Sequence, residues 1–149
     1  MNTPIYREHQ NTAEELELII AAEEELDETA GALIDLAHLD KNRAIALSLQ
    51  ILDERRADVF YQATGFDVLY RYSCKEVLEY LRNNAVNADP YLLKTMLSQV
   101  TCDSGTLTEQ EKVKEAAAIL KDALSKRSPQ ELESISEEVE WFKKTFGAT

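Results

Sequence analysis

The sequence predicts an all-α protein, because signals for helices are frequent and signals for strand turns are rare. The 149 residues include only four glycines and three prolines, so few positions interrupt a helix. Asn-Gly and Asp-Gly pairs, which favour tight hairpins, do not occur. Apolar residues recur at steps of three and four, as from Leu132 through Val139 to Phe146, which is typical of amphipathic helices. We therefore expect one compact domain of about six helices over residues 1–149, with a flexible N-terminal tail at 1–11.

The helices are placed from these apolar stripes and from residues that cap helix ends. A Ser or Thr before a helix, with Glu three residues later, satisfies free backbone amides, and this spacing begins at Thr12, Ser73, Thr108 and Ser128. Pro90 follows Asp89 at a first helical position, where no amide is lost. Together these signals predict helices at about 12–38, 41–63, 73–85, 90–100, 109–126 and 129–146.

Two segments of this series are ambiguous. Charge surrounds the second helix after Leu52, so a break there is expected, with Asp53 capping a new helix. Apolar residues alternate from Phe66 to Tyr72 as in a strand. A single strand would lack a partner, so we expect an extended connector or a short helix at this point.

Part of this region resembles one unit of an armadillo or HEAT-type repeat. The resemblance lies in Asn42-Arg43 and in the segment Thr64-Gly65-Phe66-Asp67-Val68-Leu69. In such units one helix ends, the chain turns at a glycine, and the next helix begins with an apolar pair. One unit is matched, whereas an independent solenoid needs at least three. The resemblance implies helix stacking, and we expect either a bundle or a short armadillo/HEAT-like helical stack.

The net charge of −12 is concentrated at one end of the chain. Residues 1–40 carry eleven acids and one base, a net charge of −10, whereas residues 41–149 carry 17 acids and 15 bases, a net charge of −2. Such a surface opposes direct binding to nucleic acid or to an anionic membrane, and it favours a protein partner with a basic surface. No apolar run is long enough to span a membrane, and Met1–Gln10 does not resemble a signal peptide, so we predict a cytoplasmic, reducing location.

Residue types that support catalysis or metal binding are sparse. No glycine-rich phosphate loop occurs, and the two histidines are His9 and His38. Asp35 and His38 share a helix face but supply at most half of a four-ligand site. Segment Gly105–Glu111 resembles the second half of an EF-hand calcium loop, yet the first and third ligand positions hold a valine and a cysteine. We predict no metal, no cofactor and no enzymatic activity.

The two cysteines do not form a disulfide framework. Cys74 is in helical register with Val77 and Leu81 and is expected to be buried as a small apolar residue. Cys102 is expected to lie in a loop, where it could be exposed.

A row of glutamates on the first predicted helix is the first candidate binding surface. On one helix over 12–38 these residues share a face, which is either a solvated surface or a docking surface for a basic partner. Glu23 falls within the apolar stripe instead, and we predict a half-buried carboxylate paired with Arg55 or Arg56. The row consists of Glu14, Glu17, Glu24, Glu25 and Glu28.

Aromatic residues are the second candidate. Seven of the eleven aromatics lie between Phe60 and Tyr91, and Tyr70 and Tyr72 are candidate contact residues from this patch. Basic residues are interleaved with them, but nearby acids nearly cancel that charge, so a nucleic-acid surface is not predicted. Trp141 lies well off the apolar stripe of its helix, so it either packs against another helix or anchors an interface.

These features favour a non-catalytic protein–protein interaction module, an adaptor or regulator that uses the acidic helix face and an aromatic patch. The alternative is an acidic inhibitor or immunity-type protein that blocks a basic active site or a nucleic-acid-binding surface of its partner. Tight binding to one toxin-like partner distinguishes the alternative.

Overall fold

The computed structural model describes residues 11–147, so the tail predicted at 1–11 and His9 lie outside the described residues except for Asn11. Within that range there are eight helices of ten or more residues, one helix of four residues and no strand. The all-α class is therefore confirmed, with more helices than the six expected. The helices are α1 (Ala13–Ala22), α2 (Leu26–Leu39), α3 (Lys41–Glu54), α4 (Val59–Tyr72), α5 (Cys74–Asn84), α6 (Pro90–Cys102), α7 (Gln110–Ser125), α8 (Pro129–Leu132) and α9 (Ser136–Phe146).

The predicted helix at 12–38 is divided between α1 and α2. Helix α1 ends because Glu23 adopts the left-handed conformation, with φ of 49°. Glu25 then caps α2, and its carboxylate accepts a hydrogen bond from the Asp27 amide at 3.0 Å. The prediction of a single helix is wrong, and with it the shared face of its glutamates.

The predicted helix at 41–63 is divided between α3 and α4. Arg55 and Ala57 both take left-handed conformations, with φ of 52° and 60°. Asp58 caps α4 by accepting a hydrogen bond from the Tyr61 amide at 2.9 Å. The expected break is thus present a few residues later than predicted, and Asp53 lies inside α3 instead of capping a helix.

Residues 66–72, predicted as a connector or a short helix, belong to the long helix α4. This helix packs against α2, α3, α5 and α6, so most of its circumference is buried. A helix buried on most sides loses the apolar period that identifies it in a sequence. Gly65 lies within α4, facing the Ser48 carbonyl of α3, and the turn expected there is absent.

Several helices begin where local N-capping signals predict. Thr12 and Ser128 form complete capping boxes, and Ser73 caps α5. Thr108 does not cap a helix, because residues 107–109 form a 3₁₀ turn before α7. The helix predicted at 129–146 is divided by another 3₁₀ turn at residues 133–135.

Helix α2 contacts α4, α4 contacts α6, and α6 contacts α9. Helix α1 packs on α2, α3 on α2 and α4, α5 on α4, and α7 on α5 and α6. One core cluster lies between α1 and α4 and contains Leu33 and Ile51, and the other extends from α4 to α9 and contains Leu93 and Phe142. No helix in the described part of the chain is long and apolar enough to cross a membrane.

Candidate interaction surface

Three of the five candidate glutamates are engaged within the molecule. Glu14 and Glu17 of α1 form ion pairs with Arg43 of α3, with nitrogen–oxygen distances of 3.3 and 3.7 Å. Glu25 caps α2, as described above. These contacts hold α1 and α2 in place, so the first predicted helix does not present one continuous acidic face.

The remaining candidates, Glu24 and Glu28, belong to a different set that follows α2. Its four carboxylates are exposed and, within residues 11–147, none has a basic nitrogen within 4.0 Å. Three of them lie in or before the first turn of α2, where the helix dipole favours negative charge. We call this set the acidic row, which consists of Glu24, Asp27, Glu28 and Asp35.

Glu23 pairs with Arg56, one of the two arginines expected. Its carboxylate lies 2.9 Å from Arg56 Nε, and the two side chains are 24% and 23% exposed. The Tyr61 hydroxyl is buried beside this pair, and burial, together with the Glu23 charge, raises the pKa of Tyr61 to about 12. The pair joins the α1–α2 turn to the α3–α4 turn.

Tyr70 is buried, with 4% of its surface exposed, so its predicted place on an exposed aromatic patch is wrong. The buried Lys112 donates a hydrogen bond from Nζ to the Tyr70 carbonyl at 2.9 Å, and Nζ lies 4.0 Å from the Tyr70 ring centroid. Lys112 also pairs with Glu109 at 2.5 Å. Tyr72 is half-buried, and the Arg71 guanidinium lies 6.0 Å from its ring centroid.

A different set of aromatic side chains, exposed on α4 and α9 and half-buried on α6, lies at the surface. Phe60 is 60% exposed, and its ring centroid lies 4.5 Å from that of Tyr91. Lys94 Nζ lies 5.2 Å from the Tyr91 centroid and 3.9 Å from a carboxylate oxygen of Glu138 on α9. Trp141, one helical turn beyond Glu138, is 45% exposed. We call these five residues the aromatic strip.

A groove of about 640 Å³ lies beside the strip, where α2, α4 and α6 meet the start of α7. Within it, Gln99 Nε2 donates a hydrogen bond to Asp67 Oδ1 at 2.6 Å. Burial raises the pKa of Asp67, although this hydrogen bond partly opposes the shift. The Tyr70 hydroxyl is buried, and burial, followed by its interaction with the Asp103 carboxylate, raises the Tyr70 pKa well above its ordinary value.

The groove lies on the same side of α4 as Phe60 of the strip and on the same side of α2 as Asp27 of the acidic row. Phe60 and Asp67 are two turns apart on α4 and therefore lie on the same side of it. Asp27 and Ile34 are likewise two turns apart on α2 and therefore lie on the same side of that helix. Ile34 and Asp67 both line the groove. We call this side the open face, which is acidic at α2 and aromatic from α4 to α9.

Sequence reasoning missed Phe60, Asp67 and Tyr91 as surface residues. Phe60, Thr64, Asp67 and Arg71 follow the helical spacing of four, three and four. That stripe was available as a signal, but the alternation at 66–72 concealed it.

The cysteines and the possible metal ligands do not form a site. Cys74 is exposed, against expectation, because it is the first residue of α5. Cys102 is exposed at the end of α6 and not in a loop. His38 is exposed in the last turn of α2. Among residues 11–147, no group of three His, Cys, Asp or Glu side chains is placed to hold a metal ion.

No protein-family model, curated protein or solved structure matches this chain. A functional proposal therefore depends on the open face itself.

Proposed function

We propose that the protein is a non-catalytic interaction module, an adaptor or regulator, whose open face binds a basic protein partner. The aromatic strip is the observation that carries this proposal. It places the exposed Phe60 and Trp141 and the half-buried Tyr91 on three helices, and residues of this type dominate the binding free energy of protein interfaces. The bound surface is expected to have an apolar centre against the strip and basic residues toward α2.

The strip is organised before any partner binds. Phe60 and Tyr91 are in ring contact, and Lys94 lies between the Tyr91 ring and the Glu138 carboxylate. Side chains that are already restrained lose less conformational entropy on binding, so more of the contact energy contributes to affinity.

The acidic row supports a basic partner. Among the residues that the structure describes, its carboxylates have no internal cation, unlike Glu14, Glu17 and Glu23, so their field reaches solvent. Such a surface accelerates association with a positively charged protein, and salt reduces the acceleration. The acidic row also favours the second candidate, an acidic inhibitor that covers a basic active site.

We further propose a cytoplasmic location for the module. Both cysteines are exposed free thiols, a state that a reducing compartment maintains.

The test of the strip compares two double variants of the full chain as bait in extracts of the native cell. Phe60→Ser with Trp141→Ser removes the ends of the strip, whereas Leu18→Ser with Leu107→Ser removes two exposed apolar residues elsewhere, which are 70% and 87% exposed. A stoichiometric protein should bind the wild type and the control. Its affinity for the strip variant should fall by about thirtyfold, because truncating aromatic anchors at an interface costs about 2 kcal/mol or more.

Circular dichroism and thermal unfolding establish that both variants are folded. The proposal is overturned if every protein that the control captures is captured equally well by the strip variant, or if neither captures any protein.

The role of the acidic row is measured with the captured partner by stopped-flow association. Glu24→Gln, Asp27→Asn and Glu28→Gln together should slow association at low salt and have little effect at high salt. A control with the same charge change elsewhere should leave the rate nearly unchanged. Equal association rates for the two triple variants contradict the electrostatic role of the acidic row. If the partner loses its own activity on binding, the second candidate function, an acidic inhibitor, is the correct one. The control consists of Glu111→Gln, Asp122→Asn and Glu133→Gln.

A further inference from the structure

We propose that helix α1 exchanges between two copies of this chain. In the exchanged dimer, α1 and α2 straighten into one helix, and α1 of each copy packs on α2 of the other. The occupant of the site beside α2 is then the segment Ala13–Ala22 of a second copy. The inference does not depend on the proposed function, because no residue of the aromatic strip belongs to α1 and no other protein takes part.

The turn between α1 and α2 is the first reason to expect the exchange. It consists of Glu23, Glu24 and Glu25, and Glu23 is held in the left-handed conformation, with φ of 49° and ψ of 37°. This conformation is unfavourable for a residue with a Cβ atom, and the turn contains no glycine that would adopt it readily. A short, strained turn between two packed elements favours their exchange between molecules.

The local sequence favours a straight helix through the same turn. Residues 21–26 read Ala-Ala-Glu-Glu-Glu-Leu, and these residue types are all strong helix formers. A helix that is continuous over residues 13–39 pairs the backbone groups that lack helical partners at the end of α1 and at the start of α2. Straightening therefore removes the strain at Glu23 and the need for the cap that Glu25 provides.

A straightened α1 needs a second copy to cover it. Leu16 and Ile20, which are 2% and 1% exposed, leave the core cluster between α1 and α4 when the turn opens, and the ion pairs of Glu14 and Glu17 with Arg43 are broken. The same contacts form again on another copy, at the place that its own α1 has left. Because α1 folds back on α2 across three residues, the two straightened helices lie antiparallel, and reciprocal exchange closes a two-fold dimer.

The ion pair between Glu23 and Arg56 opposes the exchange. Arg56 belongs to the turn between α3 and α4, and its Nε lies 2.9 Å from the Glu23 carboxylate, so the pair stabilises Glu23 in its left-handed conformation. Arg43, in contrast, contacts residues inside α1, and these contacts are the same whether α1 comes from its own chain or from another copy. The balance between monomer and dimer is therefore set at the turn.

The first test is the oligomeric state of the full chain, refolded from urea at a series of protein concentrations and measured by analytical ultracentrifugation. We expect monomer at low concentration and a dimer whose fraction increases with concentration. A chain that stays monomeric throughout the series overturns the proposal.

Two matched pairs of variants show whether the turn controls association. Glu25→Ala removes the cap of α2 and should raise the dimer association constant by about twentyfold, about fivefold for each of the two turns. Thr12→Ala removes the cap of α1, which both forms contain, and should change the constant less than about twofold. Arg56→Gln should likewise raise the constant by about tenfold or more, and Arg43→Gln should change it less than about twofold. Equal effects within both pairs place the association elsewhere and overturn the exchange.

A reversal of charge identifies α1 as the segment that crosses between copies. One chain carries Arg43→Glu and the other carries Glu14→Lys with Glu17→Lys, so like charges meet at the α1 site of each chain alone. When the two chains are refolded together, α1 of each meets the opposite charge on the other, and only the mixed dimer regains the ion pairs. At equal total concentration, the mixture should contain about fivefold more dimer than either chain alone. Equal dimer yields in the mixture and in the separate chains overturn the proposal.

Discussion

The ion pair between Glu23 and Arg56 is expected to contribute about 1–2 kcal/mol to the stability of the fold. The charged atoms are 2.9 Å apart, and about one quarter of each side chain is exposed. The pair is therefore screened less than surface pairs, which contribute below about 1 kcal/mol. It is also desolvated less than fully buried pairs, where removal of one partner costs about 3–5 kcal/mol. In a chain of this length, Glu23→Gln should lower the melting temperature by about 3–6 °C.

The assay is a double-mutant cycle measured by thermal and urea unfolding. Glu23→Gln, Arg56→Gln and the double variant give the coupling free energy between the two side chains. Glu24→Gln is the matched control, because Glu24 is adjacent and exposed and no cation of the described part of the chain lies within 4.0 Å of it. This substitution should change stability by less than about 0.5 kcal/mol. The reasoning is refuted if the control costs as much as Glu23→Gln, or if the two single effects simply add in the double variant.

Three further predictions test separate features of the fold. Gly31→Ala should raise the free energy of unfolding by about 0.5–1 kcal/mol, because Gly31 lies inside α2 and an added Cβ meets no atom within 4 Å; a lower urea midpoint contradicts this. Ala57→Gly should raise the free energy of unfolding by about 0.5–1 kcal/mol, because Ala57 has φ of 60°, a conformation that glycine adopts more readily. Ala46→Gly, inside α3, should instead lower the free energy of unfolding by about 1 kcal/mol. If urea unfolding shows changes of the same sign for the two variants, the argument from backbone conformation is refuted. Because burial raises the Asp67 pKa in the folded state, the wild type loses stability as the pH rises through that pKa, and Asp67→Asn should be more stable than the wild type at pH 7. This advantage should disappear below about pH 4, where the carboxyl is protonated in both folded and unfolded chains. A difference between the urea midpoints of the variant and the wild type that stays constant from about pH 3 to 7 would contradict the prediction.

Local capping signals predicted several helix ends correctly. Thr12, Ser128 and Pro90 occupy the capping or first helical positions expected of them. A cap depends on residues within one turn of the helix start, so the sequence nearby contains most of the information. The Glu23–Arg56 pair was also predictable, because an acid within an apolar stripe requires a cation when it is covered.

The breaks after α1 and α3 depend on contacts that are distant in sequence. Helices commonly end at glycine in the left-handed conformation, but here Glu23 and Arg55 adopt it. The α1–α2 turn lets α1 fold back onto α2, and the Glu23–Arg56 pair then joins this turn to the next one. The sequence of either helix alone does not specify this arrangement. Local helix propensity therefore predicted uninterrupted helices where the structure has breaks. The aromatic strip was missed for the same reason, because it exists only once α4, α6 and α9 are known to be neighbours.

The structure divides the N-terminal negative charge into two parts with different consequences. Glu14, Glu17 and Glu23 are held by Arg43 and Arg56, and a partner that competed for them would weaken the attachment of α1. The acidic row has no such contacts with any residue from 11 to 147, so a partner can neutralise it without breaking an ion pair within that range. Electrostatic recognition should therefore be a property of α2. The salt dependence of association should follow the number of charges remaining in the acidic row, and changes at Arg43 or Arg56 should act mainly on stability.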